Sequence, residues 1–407
     1  MSGVDPSAAV AKQTKLAAEI FDELYNKTFD GVGVTRASYG EGEQVASELL
    51  ESHAKKLGLV IVHDAAGNIY MTMRGESQEA PPIVIGSHID SVAQGGNFDG
   101  AAGVISGLIA CASIIEKGIR LPQDIRVMGI RAEESAWFGV SYIGSRSALG
   151  TLPKDALDNA KRSDTGITLG EHMLKAGCNP DALRAGDIYL PPSSLKAYLE
   201  VHIEQGPVLD SEDLPLGIVT GIRGNRRLPS ARCIGEYSHC GGVPRSYRKD
   251  AVLAVTDLVN YLDKIWDDCE NEGKDFAFTV GKFFTDKEWH AMTKISGSVE
   301  FSLDMRSLDG DFIESMTKRV CEEALKIEQK RGVQFNLGDF TRAAPGPMDE
   351  HIKTRMLSGA DNLGIPYMEI ASGASHDAAA VAAAGVPTQM LFIRNANGSH
   401  NPDEAME

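Results

Sequence analysis

The sequence predicts an α/β protein with an inserted ferredoxin-like α+β segment, and three observations predict it. Short apolar runs alternate with amphipathic stretches up to residue 215. Between 216 and 341 the order becomes β-α-β-β-α-β. After Pro345 the first pattern resumes. Residues 1–215 and 342–407 are therefore expected to form one discontinuous domain around an insert at 216–341.

Residues 7–25 and 41–57 carry apolar side chains at helical spacing. The runs 59–62, 69–73, 83–86 and 125–130 are each bounded by Gly, Pro or charge and read as buried strands. Between the last two, 100–117 is a small-residue crossover helix, which places a ligand site outside the carboxyl ends of the strands. In the insert, 228–235, 276–284, 298–305 and 333–340 read as strands, and 250–269 and 310–330 as helices. Beyond it come a helix, the motif 372–378 and an apolar strand at 388–393. Asn401-Pro402-Asp403 reads as a helix start, so a C-terminal segment beyond Glu407 is expected.

At 407 residues, with 43% hydrophobic and 24% charged content, the chain suits a globular protein with a large core. No apolar run reaches the roughly 18–20 residues of a membrane span. The net charge of −17 repels phosphate backbones, which argues against a nucleic-acid partner. Six scattered cysteines without a Cys-x-x-Cys pair suggest reduced thiols and a cytoplasmic setting.

Five segments place metal-binding side chains in turns or at strand ends: Gly86-Ser87-His88-Ile89-Asp90-Ser91, Gly95-Gly96-Asn97-Phe98-Asp99-Gly100, Ala132-Glu133-Glu134, Glu200-Val201-His202-Ile203-Glu204-Gln205-Gly206-Pro207 and Gly398-Ser399-His400-Asn401-Pro402. Singly each is weak, because a strand-end histidine is more often a hydrogen-bonded structural residue and a Glu-Glu pair a solvated helix start. Together they point to a site of imidazoles and carboxylates suited to zinc, manganese, cobalt or nickel.

In order along nearly the whole chain, GSHIDSVAQGGNFDGAAGV, AEESAWFGVSYIGSR, EVHIEQGPVLD, SHCGGVP, FSLDMRSLD, SGASHDA and NGSHNPDE resemble the amidase/hydantoinase–carbamoylase branch of the M20 metallopeptidase superfamily. That branch holds N-carbamoyl-L-amino acid hydrolases, beta-ureidopropionases and allantoate amidohydrolases. The resemblance implies a mixed-sheet, zinc-peptidase-like catalytic domain with the insert as a lid and dimerisation domain. It implies two divalent ions per subunit, zinc first among the four metals, with Asp99 bridging them. His88 and His202 complete one ion's ligands, and Glu134 and His400 the other's. Asp90 accepts the second N–H of His88, and Glu133 is the general base. From the insert, His239 would stabilise the tetrahedral oxyanion and Arg306 would grip the substrate carboxylate. Gln205 faces the substrate, and Thr293 stands where the family has Asn.

Other departures also fall in substrate-facing segments: Ser296 replaces Pro, Ser375 replaces Gly, and His239-Cys240-Gly241-Gly242-Val243-Pro244-Arg245 replaces His-Ala-Gly-Thr-Thr-Pro-Met. The expected activity is hydrolysis of the linear C–N bond of a carbamoyl or ureido amino acid by a homodimer. Allantoate amidohydrolase and beta-ureidopropionase are the nearest alternatives, followed by an aminoacylase or dipeptidase. A non-catalytic metal-binding scaffold is the reading of another class. Retention of Glu133 with all five ligands argues against it, since a scaffold needs no such set of costly buried polar groups.

Overall fold

The computed structural model describes residues 6–406. Its contacts divide the chain into two compact units, one running to Thr220 and resuming at Pro347, the other Gly221–Gly346.

The first unit is built on a mixed sheet with the strand order Val60–His63, Ile69–Met73, Ile125–Ile130, Ile83–His88, Ala197–Ile203, Thr388–Ile393, Leu216–Ile222 and Gly346–Pro347, and Tyr367–Ser372 also pairs with Leu216–Ile222. The four central strands, from Ile125–Ile130 to Thr388–Ile393, are mutually parallel, whereas Ile69–Met73 and Leu216–Ile222 flank them antiparallel. Parallel strands are covered on both faces, which explains their near-continuous apolar character. The helix Ala101–Glu116 lays Val104, Ile105 and Leu108 on the sheet. Glu41–Lys56 places Glu41 and Glu43 in its first turn and His53, Lys55 and Lys56 in its last, matching the helix dipole.

In the second unit the major strands are Gly224–Ile234, Phe283–Thr285, Ser298–Ser307 and Gln334–Asn336. Taken in chain order as one to four, they lie side by side as two, three, one, four, all antiparallel. That is the ordering of a βαββαβ ferredoxin-like sheet. Asp250 and Asp309 cap the helices Ala251–Asn271 and Gly310–Arg331 by accepting backbone N–H groups of the first turn. Along Ser298–Ser307 every second residue is buried, so Phe301, Leu303 and Met305 enter the core with Leu258, Leu262 and Met316.

Three expectations are corrected. The strand read over 276–284 is two short strands, Ala277–Thr279 and Phe283–Thr285, whose registers on Ser298–Ser307 differ by one residue; at the join the Lys282 N–H donates to the Ser302 hydroxyl. The strand read over 333–340 shortens to Gln334–Asn336, and a separate strand, Thr341–Ala343, follows beyond it, both on Gly224–Ile234. No helix begins at 401–403. Asn401 Oδ1 accepts the Asp403 N–H, and the chain turns back so that Ala405 bridges to Ala396. Among the described residues no helix is long and apolar enough to cross a membrane.

Candidate metal centre

All four parallel strands deliver polar side chains at their carboxyl ends. Ile83–His88 ends in His88 and runs on to Asp90 and Asp99, while Ile125–Ile130 leads to Glu133 and Glu134. Ala197–Ile203 carries His202 and leads to Gln205, and Thr388–Ile393 leads to Ser399 and His400. Three of the residues in these crossings, Ala132, Gln205 and His400, have φ of 55°, 62° and 60°. Such left-handed backbone costs roughly 1–3 kcal/mol per residue and clusters where function over-determines the geometry. Gly100, at φ 67°, is required on two counts: a Cβ there would lie 2.5 Å from the His88 ring.

Asp99 is the centre of the cluster. Its Oδ1 lies 3.3 Å from His88 Nε2 and 3.2 Å from His202 Nε2, and the two nitrogens are 3.3 Å apart. Each ring's Nδ1 faces a backbone carbonyl, Asp90 O at 3.0 Å for His88 and Ile203 O at 2.9 Å for His202. Carbonyls only accept, so both Nδ1 atoms carry a proton, and Nε2 is the nitrogen each ring turns toward Oδ1 and can offer to a cation there. Oδ1 is itself buried without a hydrogen-bond partner. Three lone-pair donors thus converge in a triangle with edges of 3.2–3.3 Å. A tetrahedral ion with bonds of about 2.0–2.1 Å spaces its ligands by roughly 3.3 Å, so the residues fit a divalent cation.

The other oxygen repeats the pattern. His400 Nε2 is 3.3 Å from both Asp99 Oδ2 and Glu134 Oε1. Asp99 Oδ2 also accepts from Gln205 Nε2 at 2.8 Å and Ser399 Oγ at 2.6 Å. Burial opposes charge throughout, yet neighbours of opposite sign prevail: Asp90 and Asp99 hold the His88 imidazole well above its ordinary value, and His202, His400 and His88 hold Asp99 well below. Asp99 and Glu134 push half-exposed His400 up to about 10. Each imidazole therefore sits in a field that favours positive charge.

Glu133 is buried beside this cluster, and its carboxyl is held well above the usual range. Burial is the main cause, His88 opposes it, and Glu134, Asp377 and Asp90 add to it. Asp90 faces His88 Nδ1 with its backbone carbonyl and its carboxylate, and it has a second task. Its carboxylate is 3.5 Å from His88 Nδ1, while Oδ1 and Oδ2 accept the backbone N–H groups of Glu133 and Glu134 at 3.0 and 3.1 Å. It clasps the turn that presents both glutamates, and its backbone carbonyl orients the ring.

His239, Thr293 and Arg306 belong to the second unit. His239 sits on a two-residue strand paired with Lys294–Ile295, exposed, its Nδ1 accepting the N–H groups of Gly241 and Gly242. That fixes the proton on Nε2. Thr293 O accepts from Cys240 N. Arg306 donates through Nε and Nη2 to the two oxygens of Asp304, which also accepts from Arg227.

Sequence reasoning missed the supports behind the ligands. Glu43 accepts from Arg131 Nε and the Ala132 N–H, fixing the chain ahead of Glu133. Glu200 accepts from Ser87 Oγ and the Ala378 N–H. The His376 ring lies 4.4 Å from that of His202, and fully buried Arg36 reaches the backbone oxygens of Ile89 and Asp99. Glu200 alone had a legible signal: it lies two residues before His202 and so shares its face of the strand.

The sequence profile of Peptidase family M20/M25/M40 matches residues 84–407. An N-carbamoyl-L-amino acid amidohydrolase of Geobacillus stearothermophilus is 35% identical over 377 residues, covering 91% of this chain and 88% of that protein. An allantoate amidohydrolase of Bacillus subtilis (strain 168) is 30% identical over 382 residues, covering 93% and 89%. A solved amidase of the hydantoinase/carbamoylase family from Burkholderia multivorans matches with a TM-score of 0.87 at 29% identity, covering 97% of this chain and 93% of that one. A profile match over residues 84–407 together with a 35% identical relative spanning 91% of the sequence carries the conclusion: the chain belongs to peptidase family M20/M25/M40.

Proposed function

We propose that this protein hydrolyses the linear C–N bond of N-carbamoyl-L-amino acids or closely related ureido acids, releasing ammonia, carbon dioxide and the amino acid. The observation that carries the reading is the pair of lone-pair clusters on the two oxygens of Asp99, with Glu133 buried beside them. The N-carbamoyl-L-amino acid and allantoate amidohydrolases among its relatives support the substrate class. His88, His202 and Asp99 would hold one divalent ion and Asp99, Glu134 and His400 a second, with zinc the first candidate for a mixed nitrogen and oxygen ligand set. When bound, the ions supply Lewis acidity toward the scissile carbonyl and acidify water.

The chain's own residues do the rest. Glu133 takes a proton from the attacking water and passes it to the leaving nitrogen, which would otherwise depart as an amide anion. Its raised proton affinity suits it to both steps. Asp90 holds the turn so that Glu134 and Glu133 serve different partners. His239 offers its Nε2–H to the developing oxyanion, and its tautomer supports that role. Gln205 faces the substrate with an amide already at the metal centre, and the Thr293 hydroxyl adds a polar contact. Arg306 binds the substrate carboxylate. Asp304 orients its guanidinium by accepting from Nε and Nη2. The second unit acts as a lid and brings these groups in on closure.

The test measures ammonia and free amino acid released from a panel of carbamoyl, ureido and acyl amino acids, using wild type and Glu133→Gln of measured metal content. Wild type should turn over the carbamoyl or ureido compounds. The variant should keep its metal and lose at least about 10²-fold in kcat. Turnover of acyl amino acids alone overturns the substrate class, and near-normal turnover by the variant overturns the base.

Arg306→Ala should raise KM for carboxylate substrates by roughly 10²-fold and leave neutral amide analogues nearly unaffected. Equal losses on both would make Arg306 structural.

The second unit is also read as the dimerisation domain. Phe283–Thr285 is an edge strand with Phe283 and Phe284 exposed, and an apolar edge of this kind is normally covered. Light scattering should report a dimer at working concentration. A fully active monomer contradicts the assignment.

A further inference from the structure

The last described turn of the chain places Glu404 against the loop that carries Asp99. The Asn401 turn and the Ala396–Ala405 bridge bring its side chain inward, to 7% exposure. Glu404 Oε1 accepts two backbone N–H groups, Phe98 at 2.9 Å and Asp99 at 3.1 Å. Its Oε2 is 2.7 Å from Ser399 Oγ, which is 2.6 Å from Asp99 Oδ2, so the one hydroxyl proton of Ser399 lies between two carboxyl oxygens. Gly96 makes room for this carboxylate, since a Cβ there would lie 2.2 Å from Glu404 Cδ and Oε1. From elsewhere in the same unit, Arg36 Nη2 reaches the Asp99 carbonyl at 3.3 Å. Glu404 thus ties together two segments about 300 residues apart: the loop presenting Asp99 and the residue that precedes His400.

We infer that Glu404 is a positioning residue for the metal centre: it fixes the Asp99 carboxylate through the Asp99 N–H and Ser399, and so sets the spacing of Asp99 Oδ2 and His400. The inference rests on the two-cation reading above. It goes further in singling out the Oδ2 cluster, because both links from Glu404 end on Asp99 and its Oδ2 neighbour. Loss of such a support typically weakens metal affinity by about 10–100-fold. The Oδ1 cluster of His88 and His202 is held by its own carbonyl contacts and should be less affected.

The experiment is calorimetric titration of the chelator-stripped full-length protein with Mn²⁺, with circular dichroism as a check on folding. Wild type should bind two ions. Glu404→Ala should bind one with affinity near wild type and the other at least about tenfold more weakly. Glu404→Gln should recover most of the loss, because its amide oxygen can still accept both N–H groups and its NH₂ can donate to Ser399. Ser399→Ala, which leaves the backbone contacts intact, should weaken the same ion and serves if Glu404→Ala fails to fold. Wild type binding fewer than two ions overturns the two-cation reading and the inference with it. Two ions in wild type with unchanged affinities in Glu404→Ala, or in Ser399→Ala where the first variant does not fold, overturns the inference alone.

Discussion

Asp99 is a buried carboxylate that faces three imidazoles, two on one oxygen and one on the other, and the arrangement of the first unit follows from keeping it charged in that position. An isolated carboxylate out of water is too costly to remain ionised. Here His88, His202 and His400 converge on it, and Gln205 and Ser399 add donors. The Nδ1 atoms of His88 and His202 are committed to carbonyl oxygens, which leaves Nε2 of each ring facing the carboxylate, ready to give its lone pair to a cation. A cluster of lone pairs repels itself unless a cation sits among them, so the same geometry that makes the site expensive makes it selective for positive charge.

The cost is spread across the scaffold. Four parallel strands end at one level, and four buried acids hold the segments around the site: Asp90 for the Glu133–Glu134 turn, Glu43 for the residues before it, Glu200 for Ser87 and the Ala378 N–H, Glu404 for the Asp99 loop. Left-handed backbone at Ala132, Gln205 and His400 survives because these contacts leave the chain no alternative. Glu133 gains from the same crowding, since burial and acidic neighbours raise its affinity for a proton.

Much of the central sheet was legible because buried parallel strands read as short apolar runs: 69–73, 125–130 and 388–393 begin and end where read. The residues of the metal cluster were legible because His, Asp and Glu stood in turn-rich motifs, and the family resemblance organised them. The supports were not. Arg36, Glu43 and Glu404 act across separations of 63, 89 and 305 residues, and no local pattern records such pairs. Asn401-Pro402-Asp403 misled for a physical reason: the residue types that begin helices also close turns, and here the Asn401 side chain closes one. The break within 276–284 was missed because alternation continues across it while the register on Ser298–Ser307 shifts by one residue.

The central claim is that Asp99 holds a cation on each oxygen. Anomalous diffraction from crystals of the protein loaded with zinc or manganese tests it most directly. The account predicts two peaks, one among Asp99, His88 and His202 and one among Asp99, Glu134 and His400. A single peak, or a peak away from Asp99, would contradict it.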